Sequence, residues 1–354
     1  MVAWTSFKAL YLSRLREFYR QPARIFWVYG FPMIMAVSLG LAFQNRLPDP
    51  TQVDLVANDA SKPVEAALKA YESRAASAKK PGLVLKISPL ETALTRLKTG
   101  KTPLVVEPLA AGPSYHFDPT RPEAIAAKKA IDDILQEDAG RVNPLKTAEV
   151  EITEPGSRYI DFLIPGLIGL NALGGGMWGI GFLIVNFRIG KLLKCFMATP
   201  MPRRNFLLAI MASRLTFLAP DLAVLLGLGV FGFGMPIRGS LMLVIVLDVV
   251  GSLAFAGIGL LIAARANSTE AVTGLMNMVM LPMWLLSGVF FSSERFPAAI
   301  QPVVRALPLT QLIGALRMVI LEGAGVMAVL PALGILAAWA VVAFGIALRI
   351  FKWT

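Results

Sequence analysis

A chain of 354 residues that is 56% hydrophobic, only 16% charged and of mean hydropathy +0.64 does not have the makeup of a soluble domain, where roughly 25% of residues are charged. Its net charge of +11 is not a nucleic-acid footprint: of 34 Lys/Arg and 23 Asp/Glu, residues 44–157 hold 15 and 16, so the basic excess lies in the apolar remainder, as the positive-inside bias of membrane proteins requires. One cysteine (Cys195) and one histidine (His116) exclude an internal disulfide framework and argue against a His/Cys metal site.

Residues 1–23 read as a cytoplasmic amphipathic helix. Trp4, Phe7, Tyr11, Leu15 and Phe18 recur at helical spacing, with Lys8, Arg14, Arg16 and Arg20 between them, which suits a helix lying in the membrane interface with its basic groups toward anionic headgroups. Its charged region is too long for a cleavable signal, and no small-residue cleavage site follows. A first transmembrane helix is expected over 24–43, near the roughly 20 residues that a bilayer core demands, with Pro32 kinking it.

Composition turns polar at Gln44. Residues 44–157 read as an α/β domain, with strands expected at 53–58, 83–88, 102–107, 114–117 and 150–153, and helices near 62–78, 90–99 and 121–138. With the first span running outward, this domain is extracytoplasmic.

Residues 158–350 hold the second to sixth spans, expected at about 158–186, 206–233, 240–264, 271–291 and 326–350, ahead of a cytoplasmic tail at 351–354. Gly174, Gly175, Gly176 and Gly179 in the second span suggest close packing or a hinge. Arg158 and Asp161 at its outer end read as interfacial anchors. The loop 186–205 carries Arg188, Lys191, Lys194, Arg203 and Arg204 and belongs inside. On this count 13 basic residues against Glu17 and Glu270 face the cytoplasm, which puts both termini there. Within that loop Leu192, Leu193, Phe196 and Met197 form an apolar patch that needs a partner or lipid to cover it.

Charges inside spans are functional hypotheses by default. Arg214 and Asp221 lie in the third span and Asp248 in the fourth. At about 1.5 Å per residue, Arg214 and Asp248 fall at similar depth, so they are expected to pair directly or through water. Met and aromatic residues over 276–291 suit an apolar path or core packing equally.

The segment 292–323 is too apolar for an aqueous loop and too proline-broken for one span, with Pro297, Pro302 and Pro308. It reads as short helices re-entering the outer leaflet, where irregular backbone survives only if protein buries it or it lines a cavity. Ser287, Gly288, Phe290, Phe291, Pro308 and Arg317 are therefore candidates for an outer gate.

A span ending Leu286-Ser287-Gly288-Val289-Phe290-Phe291, then Pro297, Leu307-Pro308-Leu309-Thr310 and Ala315-Leu316-Arg317, resembles the last third of permeases of the ATP-binding-cassette (ABC) type-two exporter family. The loop is similar as well: Arg188, Gly190, Thr199 and Pro200 stand where that family's coupling helix carries its pattern, although Asn186 and Lys191 replace the acidic residues that often flank the glycine. The resemblance implies an elbow helix at the N-terminus and a coupling loop (Arg188, Gly190, Lys191, Leu192, Leu193, Lys194, Thr199, Pro200) docked on a separate cytoplasmic ABC ATPase dimer. It also implies a second permease copy or paralogue, a bacterial inner-membrane location, and an apolar or amphipathic substrate moved outward. ATP and magnesium would belong to the partner subunit, with no cofactor in this chain. The outer domain departs from the simplest members and suggests a periplasmic or outer partner.

No phosphate loop, triad or metal-ligand cluster is legible: Gly190-Lys191 lacks the upstream glycine and is followed by Leu192. The chain is not expected to be catalytic. The fold class expected is thus a polytopic α-helical membrane protein of six transmembrane helices with an inserted α/β extracytoplasmic domain. A secondary transporter would need inverted repeats, and none is visible between the halves. A non-transporting membrane sensor or scaffold with a ligand-binding outer domain is a third class.

Overall fold

The computed structural model describes residues 2–43, 50–58, 60–78, 82–109, 112–141, 156, 158–198 and 203–351. The strand expected at 150–153 lies outside them. The chain divides into two units, Met1–Gln44 with Ile152–Thr354, and Asn45–Glu151.

The first unit is helical. Among the described residues six helices are long and apolar enough to cross a membrane: Pro22–Ala42, Tyr159–Ile189, Asn205–Gly232, Leu241–Ala263, Thr269–Leu286 and Val326–Ile350. Local chemistry sets several of their ends. Pro22 opens the first span, where its missing N–H costs nothing. The Ser268 hydroxyl accepts from the Ala271 N–H at 3.1 Å and caps the fifth. The fifth span stops at Leu286 instead of continuing to 291, because Gly288 turns left-handed with φ +79°.

The fourth span is the axis of this unit. It packs along the sixth and second spans and against a helix over Pro308–Glu322, and it buries Leu243, Val244, Leu247, Ala254 and Phe255. The first, fifth and sixth spans keep wide apolar faces exposed, including Trp27, Phe31, Leu281, Leu285, Val341 and Val342. The N-terminal helix α1 (Val2–Tyr19) packs along the third span. Phe18 stacks on Phe217 with ring centroids 4.0 Å apart, and the hydroxyls of Tyr11 and Thr216 share a 2.7 Å hydrogen bond. Arg14 departs from the expected headgroup-facing pattern. It is buried, paired with Glu17, and lies over the Phe187 ring; burial pulls its guanidinium below the ordinary value, with Glu17 acting the other way.

Single wide turns of π type interrupt the first three spans at Phe26–Gly30, Met177–Phe182 and Leu228–Gly232. The first precedes Pro32, which cannot return a hydrogen bond to the Val28 carbonyl. Asn171 of the second span reaches that carbonyl with its amide nitrogen, at 3.4 Å.

The second unit is a four-stranded sheet with helices on both faces. Strands β1 (Thr51–Val56), β2 (Leu83–Ser88), β3 (Leu104–Leu109) and β4 (Gly112–Phe117) lie in the order β2-β1-β3-β4, parallel except for β4. Helices α2 (Ser61–Ala78) and α4 (Pro122–Asp138) share one core with Val53, Leu55, Leu104 and Val106. Helix α3 (Leu90–Lys98) covers the opposite face, where Ala93 meets Val56 and Val105. The two-residue alternation along β1 thus divides its side chains between two helical layers. Asp54, on the α3 side, is buried and ion-paired with Arg96 of α3 at 2.6 Å.

Candidate functional site

Three groups of candidate residues occupy distinct places in the membrane unit. The basic loop begins where the second span ends. Arg188 turns back into its own chain: Nη1 donates to the carbonyls of Ala263 (2.7 Å) and Ala266 (2.6 Å), and Nη2 to that of Ala264 (3.2 Å). Helices leave their last carbonyls unsatisfied, so one guanidinium both satisfies and charge-complements the C-terminal end of the fourth span. Arg188 is therefore a staple between two spans.

Beyond it Lys191 holds a left-handed conformation at φ +56° although Gly190 stands beside it at φ −72°. This costs a non-glycine residue free energy and opens a short helix, α5 (Leu192–Met197). Leu193 is buried, and Phe196 packs on Phe187 and Phe206 with centroids 6.0 and 5.2 Å apart. Leu193 and Phe196 of the apolar patch are thus covered from within, whereas Leu192 stays exposed. What faces outward is Lys191, Leu192, Lys194 and Cys195. Thr199 and Pro200 lie outside the described residues.

The buried charges form a chain with a member that sequence reasoning missed. Arg214 and Asp248 do not pair directly: among the described residues no ion pair joins them. Arg214 instead lies against Gly175, where a Cβ would overlap its guanidinium, and runs past Gly179. Its Nη2 is 3.4 Å from the Asn171 carbonyl, and the Asn171 amide donates to Asp221 Oδ1 at 2.7 Å. The charges of both Asp221 and Asp248 act on it. The glycine stripe of the second span is a slot for this arginine. A signal was present in the sequence: Asn171 is an amide in the middle of an apolar span, four residues before Gly175.

A cavity of about 590 Å³ opens beside this chain. Its walls come from α1, the first span, the glycine-bearing face of the second and the N-terminal half of the third, including Trp27, Trp178, Phe182, Phe217 and Arg214. Two of the wide turns, at Phe26–Gly30 and Met177–Phe182, form part of its lining; such turns are frequent at functional sites.

The residues expected at an outer gate are drawn into one knot. After Leu286 the chain passes through Gly288, a short 3₁₀ turn (Ser293–Arg295), helix α6 (Gln301–Ala306) and helix α7 (Pro308–Glu322), which Pro308 opens. Arg317 of α7 donates to the Gly288 carbonyl at 2.7 Å and twice to that of Phe162, at 3.0 and 3.2 Å, with its guanidinium 3.4 Å over the Phe162 ring. The Tyr159 hydroxyl donates to the Phe290 carbonyl at 3.3 Å. At Gly166 a Cβ would come within 2.6 Å of the Val289 carbonyl oxygen. Ser287 is buried, whereas Phe291 is partly exposed and faces Phe296. The partners on the second span, Phe162 and Gly166, went unread in the sequence. The buried Asp161 carboxylate accepts from the backbone N–H groups of Gly156 (2.8 Å) and Arg158 (3.2 Å) and from the Arg158 guanidinium (2.9 and 3.0 Å), and so holds the start of the second span.

Residues 23–349 match the model of a family described as ABC-2 family transporter protein. The chain is similar to ABC transporter G family member 20 of Dictyostelium discoideum, 28% identical over 185 residues, which are 51% of this chain and 25% of that protein. It is also similar to the probable multidrug ABC transporter permease YbhS of Escherichia coli (strain K12), 27% identical over 193 residues, or 52% of this chain and 49% of the relative. A shorter likeness, 38% over 69 residues, covers 20% of this chain and 26% of Nodulation protein J of Rhizobium meliloti. The chain thus spans about half or less of the length of these relatives.

Proposed function

The chain belongs to the ABC-2 transporter family, and from that premise we propose that it is the membrane permease subunit of an ATP-driven exporter. A separate ATPase dimer would dock on the exposed face of α5, and a second copy or a paralogue would complete the path. The cargo is apolar or amphipathic and leaves by the outer turn at Gly288–Phe291. ATP and magnesium are held by the partner. The unit Asn45–Glu151 lies outside the cytoplasm and meets an outer partner there.

The observation that carries this reading is the Arg188 staple. A push on α5 reaches the inner end of the fourth span through three hydrogen bonds, and the fourth span is packed against the second and sixth spans and α7. Coupling energy travels through such rigid elements when they have two arrangements.

Cys195 is the sole cysteine and is exposed on α5, so it offers a native probe. In membranes of the source cell, a cleavable photo-crosslinker placed on Cys195 should capture an ATP-hydrolysing subunit. That subunit's ATPase rate with the permease should fall at least tenfold with Lys194→Glu. Capture of lipid alone, with hydrolysis indifferent to Lys194, would reject the reading.

A further inference from the structure

The cavity beside the buried charges is not used by the reading above. Three guanidiniums line it, those of Arg14, Arg24 and Arg214, and one carboxylate, that of Glu17; Asp221 and Asp248 act on Arg214 without lining the cavity. Glu17 is already engaged by Arg14 and, at 3.5 Å, by Arg24. Arg14 and Arg214 are each 8% exposed, and the Nε atom of each lacks a hydrogen-bond partner. Buried cationic donors without partners are costly unless an anion meets them. The rest of the wall is aromatic: Phe18, Trp27, Trp178, Phe182, Phe187 and Phe217. Its size, about 590 Å³, falls within the range of small-molecule sites.

We propose that this cavity binds an anionic amphiphile, with its acidic head on Arg214 and Arg24 and its apolar chain along Trp27, Trp178 and Phe217. A cationic amphiphile meets like charge there, and a neutral one leaves the buried Nε donors of Arg14 and Arg214 unpaired. The second span leaves room for it: Gly174, just ahead of the wide turn, has open space where a Cβ would point. The same chemistry belongs to a resident acidic lipid and to an acidic cargo. The cargo assignment rests on the export reading; binding does not.

The test uses the full chain in neutral micelles, with 9,10-dibromostearate as probe and its methyl ester as the uncharged control. Bromine quenches tryptophan fluorescence on contact, and Trp27 and Trp178 line the cavity. The acid should half-saturate quenching at a concentration at least tenfold below that of the ester. That preference should vanish in Arg214→Gln and shrink in Arg24→Gln, whose side chain is at the rim and 36% exposed, so folding is not at stake. Gly174→Leu, which fills the open space, should abolish the acid-selective quenching, as should Trp27→Phe with Trp178→Phe. Equal affinity for acid and ester, or acid-selective quenching that persists without both tryptophans, overturns the proposal. In vesicles carrying the ATPase partner, ATP-dependent movement of the acid marks it as cargo. Binding without movement marks a resident lipid, and leaves the site standing while counting against the acid as cargo.

Discussion

At the scale of single residues, the membrane unit depends on two arginines that spend their donors on backbone carbonyls. Arg188 closes the end of the fourth span, and Arg317 ties the outer turn to the second span. A lysine in either place would offer a point charge and could not span the same fork of acceptors. Arg214 differs, because its slot is made by an absent side chain. Gly175→Ala should push the guanidinium from the slot and destabilise the protein by about 1–3 kcal/mol, as overpacking does. Gly174→Ala, one residue away and facing open space, should be neutral or gain up to about 1 kcal/mol from helix propensity. Thermal unfolding of the two variants in the same detergent measures the contrast. A similar midpoint for both would mean that Arg214 is not seated on Gly175.

At the scale of elements, α5 has two faces with opposite duties. Leu193 is 1% exposed and packs into the membrane unit's core, whereas Leu192 is 43% exposed. Leu193→Ala should therefore cost about 2–5 kcal/mol of stability, the usual range for a buried leucine. Leu192→Asp should leave the unfolding midpoint within a degree or two and yet weaken capture of the ATPase at Cys195. Denaturation read beside crosslinking yield separates the two. Loss of stability in the Leu192 variant would show that this face is not free for a partner. The first span shows how one element's defect serves another. Pro32 removes a helical hydrogen bond, the turn before it widens, and the exposed Val28 carbonyl comes within reach of Asn171. Asn171 also holds Asp221 and receives Arg214, so a proline kink in one helix fixes a polar centre between two others.

At the scale of the whole molecule, the proposed function demands a definite orientation. An impermeant maleimide applied to intact cells should spare Cys195. It should label Lys69→Cys in a Cys195→Ser background, because Lys69 is 62% exposed on α2. Labelling of Cys195 from outside would place the loop beyond the reach of any cytoplasmic ATPase. The amino-acid sequence by itself determined the six apolar helices, the α/β character of 50–141, the ends of most spans to within about three residues, and strand β2 at Leu83–Ser88. These follow from local rules: the length of apolar runs, two- and 3.6-residue periods, and proline and glycine at the joints. The tertiary structure alone decided which polar groups meet. Arg188 finds Ala263 across 75 residues, Asn171 finds Val28 across 143, and Arg317 finds Phe162 across 155. Each contact depends on which helices become neighbours and how they are rotated about their axes. Depth alone brought Arg214 and Asp248 to the same level, and the Asp248 charge does act on Arg214, but no direct ion pair joins them among the described residues: depth fixes where a charge lies along the bilayer normal, and helix rotation fixes what it touches.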